Sequence, residues 1–199
     1  AQILGPQTDC GIGTETISLL ITNYGQSPQS LFNFRYSVNG VPASIPMFSD
    51  GFFTAVVGTT DSIEIDFETT YDFSVPGNYT IAVWTELEGD SDLANDTITI
   101  EISNIPVIAE FPQTNGFENG DGGWSVDENG ENSSWEFGAP AGGIINQAAN
   151  GTNAWVTSLG GDYNVNERSF IVSPCFDFSD LEVDHLIRIS ISIETENNW

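Results

Sequence analysis

Residues 32–45 read FNFRYSVNGVPASI. Phe32, Phe34, Tyr36 and Val38 alternate strictly with Asn33, Arg35 and Ser37. A period of two puts the aromatic and aliphatic set on one face of a half-buried strand. Asn39-Gly40 follows at once. Two residues that tolerate a left-handed backbone, placed between apolar runs, are the strongest short hairpin signal. Val41 to Ile45 is then the return strand. The same period appears on both sides of this hairpin. Upstream, after an irregular lead-in from Ala1 to about Gly13, Ile17, Leu19 and Ile21 alternate within Glu15 to Asn23, before the turn cluster Tyr24-Gly25-Gln26-Ser27-Pro28. Downstream come Ile63, Ile65 and Phe67; the turn Pro76-Gly77; Tyr79, Ile81 and Val83; a polar loop from Asp90 to Asp96; and Ile98, Ile100 and Ile102. No stretch carries a helical period, so the chain is predicted to be all-β.

About six or seven short strands with frequent turn signals fit an immunoglobulin-like or fibronectin-type-III-like sandwich. Its predicted extent is residues 1–105, with Ser103-Asn104-Ile105-Pro106 read as a linker. From residue 106 onward the composition shifts to glycine, asparagine and tryptophan, as in FENGDGGW, NGENSSWEFGAPAGG and NGTNAW. Long loops of this kind, with single large aromatics, belong to jelly-roll sandwiches. Predicted strands there are Gly123–Val126, Trp135–Phe137, Ala154–Leu159, Arg168–Val172 and His185–Glu194. GGDYNVNE joins the third to the fourth, and SPCFDFS leads toward the last.

The charge balance removes whole classes of function. Twenty-nine acidic residues face three basic ones, Arg35, Arg168 and Arg188, for a net charge of −26 over 199 residues. Binding to nucleic acid or to an anionic membrane is not expected, because the cations that neutralise phosphate are missing. The acids are spread along the chain, which reads first as a solvated acidic surface that keeps copies apart and attracts divalent cations. One histidine and two cysteines do not make a zinc or iron–sulfur ligand set. Cys10 and Cys175 fall in different predicted domains. A bridge between them, a packed thiol at Cys175, and a half-cystine whose partner lies beyond Trp199 all remain open. No apolar run reaches membrane-spanning length; the given residues carry no signal-peptide pattern, and Ala1-Gln2 is expected either to follow a removed signal or to belong to an excised piece of a longer chain.

The second part resembles the MAM-like jelly-roll modules of secreted multidomain proteins of Bacteroidetes-type bacteria. The resemblance spans about Phe111 to Trp199. It is carried, in order, by Phe117-Glu118 with Gly123-Trp124, by Trp135-Glu136-Phe137-Gly138-Ala139-Pro140, by Ala154-Trp155-Val156-Thr157, by Asn164 to Ser169, and by Ser173-Pro174-Cys175-Phe176-Asp177-Phe178-Ser179. It implies further strands after the final tryptophan, so that residues 106–199 are expected to hold a partial module. The first part resembles the Ig-like repeats that precede such modules, through Cys10, the ITNYG segment, Tyr36 to Gly40 and Pro76-Gly77-Asn78-Tyr79. What the resemblance implies is export by the type IX pathway, a place at the bacterial cell surface, and a non-catalytic role in adhesion or structural display alongside further domains of the same polypeptide. The alternative is a carbohydrate-binding or accessory module of a secreted hydrolase or protease. A surface polysaccharide or a protein is the expected ligand class.

Candidate sites follow from that reading. The resemblance implies a structural Ca²⁺ near the start of the jelly roll. Glu118 is the leading ligand, then Asp121, with Asp162 and Asp177 behind them; hard carboxylate and carbonyl oxygens in a glycine-rich loop suit this ion. The competing reading is a turn closed by Asn119-Gly120 with solvated acids. Trp124, Trp135 and Trp155 are candidate sugar-stacking rings, because aromatic faces stack on the apolar faces of sugars. Burial as core anchors is the alternative. Ser62 in Asp61-Ser62-Ile63 and Thr97 in Asp96-Thr97-Ile98 match a short O-glycosylation pattern of such bacteria. A catalytic triad would have to use His185, which reads instead as a strand-end histidine. Paired carboxylates are abundant, but no spacing singles out a pair for glycoside hydrolysis. Gly89 to Asp96 lacks the glycine and distal glutamate of an EF-hand and reads as a solvated hairpin loop.

Overall fold

The computed structural model describes residues 1–43, 56–90, 92–127, 130–182 and 184–194. The chain is all-β, and among the described residues there is a single turn of 3₁₀ helix, at Leu93–Asn95. It divides into two compact units, Ala1–Pro106 and Val107–Trp199.

The first unit contains β1 (Gln2–Gly5), β2 (Asp9–Cys10), β3 (Thr14–Thr22), β4 (Asn33–Val38), β5 (Val41–Pro42), β6 (Ser62–Asp72), β7 (Gly77–Glu86) and β8 (Thr97–Ile105). One sheet runs β1-β3-β6 and the other β2-β8-β7-β4-β5. All the pairings are antiparallel except β2 with β8. The alternation explains the packing. Ile17, Leu19, Ile65 and Phe67 from one sheet meet Phe34, Tyr36, Val38, Ile81, Val83 and Ile102 from the other in one buried cluster. Tyr36 and Phe67 touch edge to face across that interface, with centroids 4.7 Å apart. Offset and edge-on ring pairs add to the area they bury. The hairpin forms as its residues require. Val38 pairs with Val41, and Asn39 and Gly40 sit at φ of 51° and 74°. Two positive φ values in a two-residue loop are the type I′ pattern that matches strand twist.

Three expectations change in this unit. Ile3 is buried and β1 pairs with β3, so the lead-in is a sheet edge, too short to show a period. The return strand is ordered as Val41–Pro42, and Ser44 and Ile45 lie outside the described residues. Ser103, Asn104 and Ile105 are the end of β8, not a linker: Ser103 pairs with Asn78, and Asn104 with Gly77. The cause is the Asn104 side chain. It is buried at 2% exposure, its Nδ2 donates to the carbonyls of Ile12 (3.1 Å) and Phe73 (2.7 Å), and its Oδ1 accepts from the Ile12 N–H (2.8 Å). One amide thereby satisfies three backbone groups at the end of the sandwich.

The second unit is built from short ladders: β9 (Val107–Ile108), β10 (Ser125–Val126), β11 (Trp135–Gly138), β12 (Ala154–Thr157), β13 (Ile171–Val172) and β14 (Cys175–Phe176). The pairs are β10 with β13 and β11 with β12, both antiparallel, and β9 with β14, parallel. Arg168 makes an isolated bridge with Glu131, so the expected strand Arg168–Val172 is a bridge followed by a two-residue ladder. β12 stops at Thr157 because Ser158 turns to a φ of 63°. The expected strand His185–Glu194 forms no ladder, and all its residues are exposed. Its alternation defines two faces, but faces alone do not supply a hydrogen-bonding partner.

Candidate functional site

The loop from Asn115 to Trp124 and the segment from Gly151 to Trp155 are fastened by the first of the expected site residues. Asn115 Oδ1 accepts from the Phe117 N–H (2.8 Å), and Phe117 turns to a φ of 62°. That local turn presents Glu118. Its Oε1 accepts from the backbone N–H groups of Thr152 and Asn153, each at 2.8 Å. Those two donors, Asn153 first, hold the Glu118 carboxyl below the ordinary glutamate value. Asn153 Nδ2 donates back to the Phe117 carbonyl (3.3 Å), and Trp155 Nε1 donates to the Asp121 carbonyl (3.1 Å). Gly151 makes the approach possible. Its φ is 72°, and a Cβ there would lie 2.5 Å from Glu118 Cδ.

The aromatic rings form a chain beside this clamp. Phe117 meets Trp124 edge-on at 6.2 Å and Phe137 at 6.5 Å, and Phe137 meets Trp155 at 5.8 Å with planes 47° apart. Phe137 and Trp155 are also register partners in the β11–β12 ladder. Trp124, Trp135 and Trp155 are each half-buried. The rings of Trp124 and Trp155 lean on phenylalanines at steep angles and do not form a flat row. Trp135 pairs with Thr157, and its Nε1 is enclosed with no hydrogen-bond partner among the described residues.

Two further glutamates act as Glu118 does. Glu136 Oε2 accepts from the Leu159 N–H at 2.6 Å. Glu167 gathers four donors: the Ser134 N–H (3.0 Å) and hydroxyl (2.5 Å), the Asn164 N–H (3.1 Å), and the Ser169 hydroxyl. Partial burial pushes its carboxyl up, but the hydrogen bonds outweigh burial and the net shift is downward. A depressed folded value means that the stabilisation is complete above the ordinary value of 4.5 and is lost as pH falls through the folded one. Glu167→Gln is therefore expected to destabilise the second unit by about 1–2 kcal/mol near neutral pH, after discounting for solvent around a half-buried group. Urea melts followed by tryptophan fluorescence check it. The gap between the two proteins should close in acid below the ordinary glutamate value.

The other expected acids are engaged locally or exposed. Asp121 Oδ1 accepts from Gly123 N–H (2.9 Å) and closes its own turn. Asp177 Oδ1 accepts from Ser179 N–H (2.9 Å), which lowers its pKa. Asp162 is exposed. No group of three or more acid, histidine or cysteine side chains converges among the described residues. Calcium needs six to eight oxygens. With Glu118 Oε1 already taking two N–H donors, the four expected carboxylates do not fit a calcium shell on their own. His185 lies 5.0 Å from Phe178 in a near-parallel stack that continues to Phe111. Ser62 and Thr97 are exposed residues at the first positions of β6 and β8.

Neither cysteine is a free thiol; Cys10 and Cys175 are both in disulfide form. This corrects the reading of Cys175 as a packed thiol. In denaturant without reductant, the chain should show no thiol toward Ellman's reagent, and two after reduction.

Glu136 and Glu167 were not among the expected site residues, nor were Phe117 and Phe137 as ring partners. The sequence signal for Glu167 is its place between Asn164 and Ser169, two donors within reach of one carboxylate.

No protein-family model and no curated protein matches the chain. Among solved structures it is similar to the CARDB domain of a Pyrococcus furiosus protein. The solution NMR structure of that domain aligns at 17% identity over 51% of this chain and 89% of the domain, with a TM-score of 0.40. The crystal structure of that domain, a complex with di-metal ions, aligns at 17% identity over 52% and 84%, also with a TM-score of 0.40.

Proposed function

We propose that this chain is a non-catalytic module of a bacterial cell-surface protein, acting outside the cell in adhesion and display. The first unit is the spacer, and the second presents loops. The observation that carries this reading is the use of acidic side chains as loop fasteners: Glu118 on residues 152–153, Glu136 on 159, and Glu167 on 134, 164 and 169. Fasteners must stay ionised. The shifts of Glu118 and Glu167 agree, since both move downward. A general acid working near neutral pH needs the opposite shift. The resemblance of both halves to surface-protein repeats supports the same role, and a polysaccharide or a protein is the ligand class it brings.

Beads coated with the full chain, passed over immobilised neutral polysaccharides and matrix proteins, test the proposal. The expected result is saturable retention on one of these surfaces, weakened when Glu118→Gln loosens the loop pair. Release of reducing ends or peptide fragments from the surface would refute a non-catalytic role.

A further inference from the structure

An asparagine side chain loses its amide most readily when glycine follows it, because no Cβ shields the glycine nitrogen. Asn39, Asn115, Asn119, Asn129 and Asn150 each precede a glycine. Asn129 lies outside the described residues. The other four share one chemistry and differ in what holds them. The Asn39 N–H donates to the Thr80 carbonyl (2.9 Å), and its Oδ1 accepts from the Thr80 N–H (2.9 Å), within the hairpin turn. Asn115 Oδ1 accepts from the Phe117 N–H (2.8 Å), and its Nδ2 occupies the space that a side chain at Gly122 would need. Asn119 and Asn150 are exposed, and their side chains make no hydrogen bond among the described residues. These two stand on opposite sides of one contact. Asn119 follows Glu118, and Asn150 precedes Gly151, whose lack of a side chain leaves room for the Glu118 carboxyl.

We propose that Asn119 and Asn150 are sites of spontaneous conversion to aspartyl and isoaspartyl residues, and that conversion opens the Glu118 clamp. The glycine nitrogen attacks the asparagine Cγ. A C–N bond forms, the Cγ–Nδ2 bond breaks, and the glycine N–H proton leaves with the amide as ammonia. Solvent water then opens the cyclic imide at one carbonyl or the other, giving isoaspartate or aspartate with no change of oxidation state. Ring closure needs the side chain and the following peptide to turn toward each other. Asn39 and Asn115 must first give up the bonds that hold them; Asn119 and Asn150 have none to break. Isoaspartate carries the main chain through Cβ and Cγ, so it lengthens the backbone beside residue 118 or residue 151. The clamp rests on two N–H groups at 2.8 Å from one carboxylate oxygen, a contact that weakens steeply when distance or angle changes. The new carboxylate also repels the one already there. None of this depends on what the loops of the second unit bind.

Ageing of the full chain at neutral pH tests the sites. Peptide mapping separates acid from amide by mass and the two acid isomers by chromatography. The same chain, reduced and unfolded in guanidinium chloride, gives the intrinsic rate of each dipeptide. In the folded chain Asn39 and Asn115 are expected to convert about tenfold more slowly than that reference, while Asn119 and Asn150 stay within about twofold of it. Slowing of Asn119 and Asn150 to match Asn39 overturns the assignment of the sites. Opening is read at the Thr152 and Asn153 amide signals, which should leave their clamped positions in the isoaspartyl fraction. The double variant Asn119→Gln/Asn150→Gln needs a larger ring for the same reaction, and should keep both signals through the same ageing. Converted protein that keeps both signals, or a double variant that loses them as fast, overturns the opening of the clamp.

Discussion

Replacing Asn104 with leucine is expected to destabilise the first unit by about 3 kcal/mol, because three backbone groups lose their partner in a place water does not reach. The Ile12 N–H, the Ile12 carbonyl and the Phe73 carbonyl all depend on this one amide. Leucine branches at the same carbon with the same number of heavy atoms but is larger, so it leaves no cavity and the loss reports polar satisfaction together with some overpacking. Asn104→Asp separates the two halves of the amide. It keeps an acceptor for Ile12 N–H, removes the donor for both carbonyls, and buries a charge, so it should be at least as damaging near neutral pH. Urea denaturation measures both. A loss below about 1 kcal/mol for the leucine variant would mean that the three groups find other partners.

Phe73→Ala is expected to cost more, about 3–5 kcal/mol. The ring is 0% exposed and lies 4.7 Å from Tyr71 and 5.0 Å from Tyr79. Truncation leaves a cavity bounded by two tyrosines, one of which is anchored by its hydroxyl on the Val75 carbonyl at 2.7 Å. Those neighbours are poorly free to collapse, which places the cost in the upper part of the range for such changes. Phe73 keeps its backbone bonds in this variant, since its N–H donates to Gly13 and its carbonyl accepts from Asn104. Even so, Phe73 and Asn104 share one backbone group, so the double variant should lose less than the sum of the two single losses. Differential scanning calorimetry of the four proteins gives the coupling.

The first unit was largely legible because its information is local. Ile17, Leu19 and Ile21, or Phe34, Tyr36 and Val38, state which face is buried within a few residues, and Asn39-Gly40 states where the chain reverses. Asn104 was not legible. Ser-Asn before Ile-Pro has the look of a linker, and the groups that need its amide come from residues 12 and 73, which only the closed sandwich brings near. Two-residue strands such as β2, β9 and β14 have no period to read. In the second unit the alternation of Ile187 to Ile193 was clear, yet it fixes faces and leaves the partner open. Glu118 was singled out by the resemblance, as a calcium ligand, while Asn119-Gly120 carried the competing reading of a turn with solvated acids. What it does was set by the backbone of residues 152 and 153, which no local pattern announces. The disulfide form of Cys175 likewise has no signal within Ser173 to Ser179.

The claim that acidic side chains fasten the loops of the second unit can be tested at single amides. An NMR pH titration of the Thr152 and Asn153 N–H signals reads the Glu118 carboxyl directly, and Ser134 and Asn164 read Glu167. The account predicts that these amides shift together in acid, with midpoints below the ordinary glutamate value of 4.5, and that Glu118→Gln removes the transition at 152 and 153 alone. Midpoints at or above that value would contradict it, because the carboxylates would then be held by solvent and not by the loops.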